Sequence, residues 1–342
     1  MNQALGRLSE MPRCPLAHRP TPIELLGNLS ATTGKANIYV KRDDCTGLAL
    51  GGNKIRQLEY YVGAAEAKGA DTLLITGAVQ SNYVRSTVAA AAKRGLACHV
   101  QLEERVPDPT DLYRTSGNVL LDELMGATVH HYPDGEDEAG ADRRLGEIAD
   151  DLRQQGRRPY IVPLSPGHPP LAALGYIDAA EELLEQIASM DVHVDRIFVA
   201  SGSGNTHAGL LYGLRAFGSS IPVTGVCVRR TADLQLPRLA RRCEEIANLL
   251  DAQNPVADSD IEVDDDVLAP GYGRMNDAVT EAINLAARKE AILVDPVYTG
   301  RVLASLIAYA RNLTDKENLL FIHTGGTPAI FAYEHELRAG LT

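Results

Sequence analysis

Several things are missing from this 342-residue chain, and each absence narrows what it can be. No apolar run approaches the roughly 20 residues that a membrane-spanning helix needs. The N-terminal stretch carries Arg7, Pro12, Arg13 and Pro15 without an apolar core, so no signal peptide is expected. There is no basic excess. The 33 Lys and Arg face 45 Asp and Glu, a net charge of -12, which argues against nucleic acid or an anionic membrane as partner. The five cysteines (Cys14, Cys45, Cys98, Cys227, Cys243) are scattered and form no CxxC pair, as expected of a reduced, cytoplasmic protein. His18, His99, His130, His131, His193 and His207 show no metal-ligand spacing, so no metal site is expected. The acidic stretch 258–266 reads as a solvated loop or helix start. There is no internal repeat and no low-complexity tract.

What is present is ordinary globular material: 45% hydrophobic residues, 23% charged, and enough length for two domains. Short apolar runs alternate with helical patterns, which predicts an α/β fold with parallel strands. Strands are expected at 37–41, 72–76, 97–102, 128–131, 160–163, 196–200, 223–228 and 318–323. Helices are expected at 57–68, 82–94, 118–124, 141–155, 172–189, 277–289 and 300–311.

One lysine stands out. Lys54 follows Gly51, Gly52 and Asn53, where glycines let the backbone approach a flat ligand or take φ > 0. A lysine held there, partly desolvated, can lose its proton and attack an aldehyde. The aldehyde this suggests is pyridoxal 5'-phosphate (PLP). The plainer alternative is a turn. Four further segments favour the chemistry. Ser201-Gly202-Ser203-Gly204-Asn205-Thr206 joins an apolar strand to a helix and reads as a phosphate cradle. It lacks the third glycine of a dinucleotide fingerprint, because His207 stands there. Gln80-Ser81-Asn82-Tyr83 opens a helix, with Ser81 either an N-cap or a group beside a substrate Cα. Asp295-Pro296-Val297-Tyr298-Thr299-Gly300 and His323-Thr324-Gly325-Gly326 each follow an apolar run. Ligands in open α/β sheets bind beyond the carboxyl ends of strands, so all four segments are expected at one rim. Tyr298, and Tyr272 in Pro270-Gly271-Tyr272-Gly273, are packing residues or acid–base groups. His168 and His323 also fall on the expected rim, and Cys45 is read as a packing residue.

In combination and in this order, these runs resemble the PLP-dependent enzymes of the tryptophan synthase β (fold type II) superfamily. They resemble most its group of D-cysteine desulfhydrase, L-cysteate sulfo-lyase and 1-aminocyclopropane-1-carboxylate (ACC) deaminase. The resemblance runs from Pro20-Thr21-Pro22 and Lys41-Arg42-Asp43-Asp44 to Phe331-Ala332-Tyr333. It implies a large PLP-binding domain of residues 1–55 with 166–342 and a small α/β domain of residues 56–165. It implies that Lys54 bonds the coenzyme, with Asn53 beside it and residues 201–206 on the phosphate. Asn82 would then meet the ring phenolate, Thr324 the ring nitrogen, and Thr299 the coenzyme. Ser81, Asn82, Tyr83, His168, Tyr272 and Tyr298 would line the substrate side. A small amino acid is the implied substrate and a homodimer the implied assembly.

ACC deaminases carry a glutamate after the matching tyrosine, whereas this chain has Thr299, as desulfhydrases do. The expected reaction is therefore β-elimination. L-cysteate sulfo-lyase, ACC deaminase, racemase and β-replacement readings remain alternatives on the same fold, and a non-catalytic phosphate-binding protein or a nicotinamide-dependent dehydrogenase outside it. Two departures stand where the resemblance puts the substrate. Tyr83 replaces a histidine, and Leu164-Ser165-Pro166-Gly167-His168-Pro169-Pro170 replaces a Gly-Gly-Ser-Asn loop.

Overall fold

The computed structural model describes residues 3–164 and 167–341. Among them the strands, in chain order, are β1 Ile23–Leu25, β2 Ala36–Lys41, β3 Thr72–Ala78, β4 Ala97–Glu103, β5 Thr128–Tyr132, β6 Pro159–Val162, β7 Arg196–Ser201, β8 Val223–Cys227, β9 Glu262–Asp264 and β10 Glu317–Ile322. They form a six-stranded sheet, ordered β1-β2-β10-β7-β8-β9, and a four-stranded sheet, ordered β5-β4-β3-β6. Every neighbouring pair is parallel except β1 with β2. This is the open, mostly parallel α/β architecture that the sequence predicts.

Parallel strands need helical crossovers, which cover both faces of a sheet. The alternation of side chains along a strand then feeds two cores. On β7, Ile197 and Val199 pack with Leu174 and Leu210, while Phe198 and Ala200 pack with Val302 and Leu306. In the smaller sheet Leu73 and Ile75 of β3 face Ile55, Leu58 and Val84, and Leu74 faces Leu145 and Ile148. No helix among the described residues is long and apolar enough to cross a membrane.

The expected elements appear with shifted ends. The helix predicted at 57–68 runs Asn53–Ala67, so Lys54 lies in its first turn. β3 continues past its predicted end at 76 through Gly77 and Ala78, because the parallel ladder to β4 extends that far. The apolar run 291–294 is not a strand, so the Asp295 segment leaves a loop and not a sheet. The single rim is also corrected. The Gln80 segment follows β3 of one sheet, while the Gly202 and Thr324 segments follow β7 and β10 of the other. Among the elements not anticipated, helix Ala232–Leu249 contains Pro237, which masks its pattern, and the acidic stretch contributes a 3-10 turn and edge strand β9.

Beneath the lysine helix lies a buried ionic network. Arg56 donates to Asp43 (2.9 Å) and to both oxygens of Glu182 (2.8 and 2.9 Å), and the Lys41 amine also donates to Glu182. Tyr176 donates to Asp43 at 2.6 Å. Burial alone would raise the Glu182 pKa, but the bonds from Arg56 and Lys41 outweigh it and hold the carboxyl down to about 2. Because this pKa is depressed, Glu182 stabilises the fold fully above its unfolded value of 4.5 and ceases to do so as pH falls toward 2. Glu182→Gln is expected to lower unfolding stability by about 3 kcal/mol or more at neutral pH. It should also flatten acid unfolding in that window, as read by urea titrations across pH.

Candidate active site

The approach to Lys54 is a strained loop. Ala49, Leu50, Gly51 and Gly52 have φ of 43°, 69°, 63° and 112°, four consecutive residues on the positive side. Ala49 and Leu50 carry side chains in a region that disfavours them, so the surroundings must hold them there. Arg85, buried on helix Asn82–Arg94, does so by donating to the carbonyls of Ala49 and Gly51. The Asn53 N–H reaches the Thr324 carbonyl at 3.0 Å. Gly52 and Gly325 are required here because a Cβ on Gly325 would meet the Gly52 Cα at 2.7 Å. The glycine pairs of the two motifs thus press the two segments together.

From this loop Lys54 projects into a cleft of about 920 Å³, open solvent at its mouth included. Its amine lies 3.3 Å from Gln57 Oε1 and 5.2 Å from the centre of the Tyr83 ring. Burial, with no carboxylate to offset it, draws its pKa down to about 8. On the β3 side, Ser81 caps its helix. Its Oγ accepts from the Tyr83 and Val84 N–H groups at 3.2 Å. Asn82 Oδ1 accepts from Asn118 at 3.0 Å. Tyr83 is buried, its hydroxyl has no partner among the described residues, and burial raises its pKa well above the ordinary value.

Opposite stands the cradle. Gly204 takes φ +95° between β7 and helix Asn205–Ala216. The N–H groups of Gly202, Ser203 and Gly204 have no acceptor among the described residues. Thr206 Oγ1 accepts from Asn53 (2.8 Å) and Gln57 (2.7 Å), which leaves its own hydrogen to donate. The third wall holds Thr324 and the tyrosines Tyr272 and Tyr298, whose hydroxyls are 3.0 Å apart. Burial, then Tyr272, raises the Tyr298 pKa well above the ordinary value, so this hydroxyl keeps its proton.

Residues 15–325 match the pyridoxal-phosphate dependent enzyme family. The chain belongs to this family. D-cysteine desulfhydrase of Salmonella paratyphi C is 43% identical over 331 residues, covering 96% of this chain and 98% of its own. D-cysteine desulfhydrase of Klebsiella pneumoniae is 42% identical over 336 residues, covering 98% and 100%. The crystal structure of an ACC deaminase homologue superposes with a TM-score of 0.87 at 37% identity, with both chains covered completely.

The donor set fits the PLP that the family uses. Free N–H groups at a helix start and a hydroxyl with a spare hydrogen suit a phosphate. A lysine with a lowered pKa stands across the same cleft to take an aldehyde. In this PLP enzyme the cleft gathers Asn53, Lys54, Ser81, Asn82, Tyr83, Gly202, Ser203, Gly204, Thr206, Tyr272, Tyr298 and Thr324.

Four predicted residues do not line it. Ser201 is the last residue of β7, and its hydroxyl bonds His207 (3.2 Å) and Gln235 (2.9 Å). The Asn205 side chain is buried, with Oδ1 unpartnered among the described residues. Thr299 turns to Asp295, donating to its Oδ1 at 2.6 Å, and so tightens the turn that presents Tyr298. His168 is exposed and away from the cleft, while Ser165 and Pro166 of its loop lie outside the described residues. His323 is buried too, donating through Nε2 to Leu293 O and accepting at Nδ1 from the Gly325 N–H. Cys45, read as packing, is exposed.

Five polar lining residues went unrecognised in the sequence: Arg105, Glu138, Arg229, Arg230 and Arg238. The signal for three of them was available. Arg105 follows β4, and Arg229 and Arg230 follow β8, at the carboxyl ends where ligands bind.

Proposed function

We propose that this enzyme catalyses β-elimination from a small β-substituted amino acid, with D-cysteine as substrate and pyruvate, ammonia and sulfide as products. One observation carries the reading beyond family membership. A lysine of lowered pKa shares one cleft with a helix-capping serine and a pair of hydrogen-bonded tyrosines. The near-complete overlap with D-cysteine desulfhydrases supports the choice of substrate.

PLP, when bound, delocalises the negative charge that develops at the substrate Cα. The chain's residues do the rest. The Asn82 N–H at the start of helix Asn82–Arg94, which has no acceptor among the described residues, receives the substrate carboxylate together with the Ser81 hydroxyl. Lys54 Nζ takes the Cα proton, and burial near pKa 8 suits it to that exchange. Ser81 Oγ is held by two backbone donors, which leaves its hydrogen for the substrate. The Tyr272–Tyr298 pair needs only one hydrogen between its oxygens, so the other is free to protonate the departing sulfur. Thr324, a neutral group at the cleft wall, suits the ring nitrogen and does not force a proton onto it. Thr299, turned to Asp295, leaves no carboxylate at the position where ACC deaminases carry one.

The two-lobe division at residues 1–55 with 166–342 and 56–165 belongs to the same proposal. The four strands of the smaller sheet all fall within the second span. So does a cytoplasmic homodimer, with the five cysteines as free thiols fitting a reducing compartment.

The deciding assay supplies D-cysteine, ACC and D-serine to the coenzyme-loaded protein. Pyruvate and sulfide from D-cysteine are expected. Release of 2-oxobutyrate from ACC without pyruvate from D-cysteine would overturn the reading, as would racemisation with no keto acid.

A further inference from the structure

The Tyr272–Tyr298 pair sits where a phenol gives up its proton reluctantly. Burial, then Tyr272, keeps the proton on Tyr298, and Asp295 adds to the effect. An acid works best when its pKa lies near the working pH. Of the groups that act on Tyr298, Arg105 pulls the other way and favours the phenolate.

The fold holds Arg105 in place for this. It follows β4 and lines the same cleft as Tyr272 and Tyr298. Its neighbour Val106 packs on the residue after Tyr272, since a Cβ on Gly273 would meet Val106 Cγ2 at 2.6 Å. Arg105 Nε and Nη2 both donate to Glu103 Oε2, at 2.8 and 2.6 Å. Glu103 is itself buried, and its Oε1 accepts from Thr76 at 2.6 Å. The Thr76 hydroxyl accepts in turn from Gln101 at 3.1 Å. This row of bonds fixes one edge of the guanidinium. Nη1, on the other edge, has no acceptor among the described residues. A planar fork held along one edge keeps its charge in one place. Arg229 and Arg230, by contrast, donate to Glu138, at 2.8 and 2.7 Å.

We infer that Arg105, anchored by Glu103, is a positioning residue of the acid step: its guanidinium stabilises the phenolate that forms when the tyrosine pair protonates the departing sulfur. The inference rests on the elimination reading above. Lys54 takes the Cα proton, the C–S bond breaks with its electron pair on sulfur, and a tyrosine hydroxyl passes a proton to that sulfur. The phenolate regains a proton from water once the sulfide has left. A cation fixed beside a buried site of developing negative charge acts with little screening. Chloride needs no proton to depart, so a substrate that loses chloride gains little from Arg105.

The test compares kcat/KM of the coenzyme-loaded protein for D-cysteine and for β-chloro-D-alanine. Arg105→Gln should lower the D-cysteine value about tenfold or more beyond any loss with β-chloro-D-alanine. Because this change strands Glu103 as a buried carboxylate, Glu103→Gln/Arg105→Gln is measured beside it and should show the same loss of selectivity. Arg105→Lys, which keeps the charge, should recover part of that selectivity. In a Tyr272→Phe/Tyr298→Phe background, Arg105→Gln should change the ratio of the two substrates less than about twofold, because the group it acts through is gone. Equal losses for both substrates would overturn the inference and leave elimination standing, as would an Arg105→Lys enzyme no more selective than Arg105→Gln. A full change in the ratio without the tyrosines would also overturn it, by assigning Arg105 to the substrate itself. No keto acid from either substrate with the parent enzyme would instead remove the elimination reading beneath it.

Discussion

Replacing Lys54 by methionine is expected to abolish the visible absorbance of the bound coenzyme and to lower kcat/KM by about 10³-fold or more. Methionine keeps the apolar stem, so the fold should persist and circular dichroism should be unchanged. The same substitution carries a pH signature. Burial holds the folded lysine at about 8, against 10.5 for a free one, so the charged amine opposes folding. That opposition is complete below pH 8 and vanishes as pH rises through 10.5. Coenzyme-free Lys54→Met should therefore melt above the coenzyme-free parent at pH 7, with the gap closing in alkali. In the parent, only the neutral amine attacks the aldehyde, so the rate of colour formation should climb with pH and level off above about 8. A coloured, active Lys54→Met protein would refute the assignment.

Arg85→Leu is expected to be among the most damaging changes to the fold. Arg85 is buried and joins three acceptors: the carbonyls of Ala49 and Gly51, and Asn118 Oδ1 at 2.9 Å. An apolar side chain leaves all three unpaired and frees the strained loop before Lys54. Unfolding stability should fall by about 3 kcal/mol or more in urea titrations. A second effect falls on Asp122. Its carboxyl is buried without a hydrogen-bond partner among the described residues, and burial raises its pKa to about 8 despite Arg85 nearby. Without that cation the pKa should rise further. A group raised in this way stabilises the fold where it is protonated, so Arg85→Leu should lose more of its stability as pH rises from 6 to 9 than the parent. Coenzyme capture should slow as well, because Arg85 sets the backbone from which Lys54 springs. Normal stability and normal capture in Arg85→Leu would show that the loop holds its shape unaided.

Much of the cleft could be read from local signals. Gly-Gly-Asn-Lys marks a backbone with positive φ next to a lysine, and the positive φ of Gly51 and Gly52 is there. Ser81 is recognisable as a helix cap from its own position, and it caps. Residues whose side chains are turned by the packed fold were not readable in this way. Thr299 reads as a cofactor contact, but its hydroxyl bonds Asp295, and that of Ser201 bonds His207 and Gln235. His168 sat in a suggestive place in the chain, but nothing in sequence spacing says which side of a loop faces a cleft.

The sequence by itself determined the parallel α/β class, the positive-φ glycine pair before Lys54 and the glycine-serine turn before helix Asn205–Ala216, because each depends on residues within a few positions of one another. The tertiary structure decided which groups share the cleft and with what charge. Arg105, Glu138, Arg229, Arg230 and Arg238 meet there only because β4 and β8, in different sheets, end at the same opening. Electrostatic interaction depends on distance in space, and a linear chain carries no record of that distance until it folds.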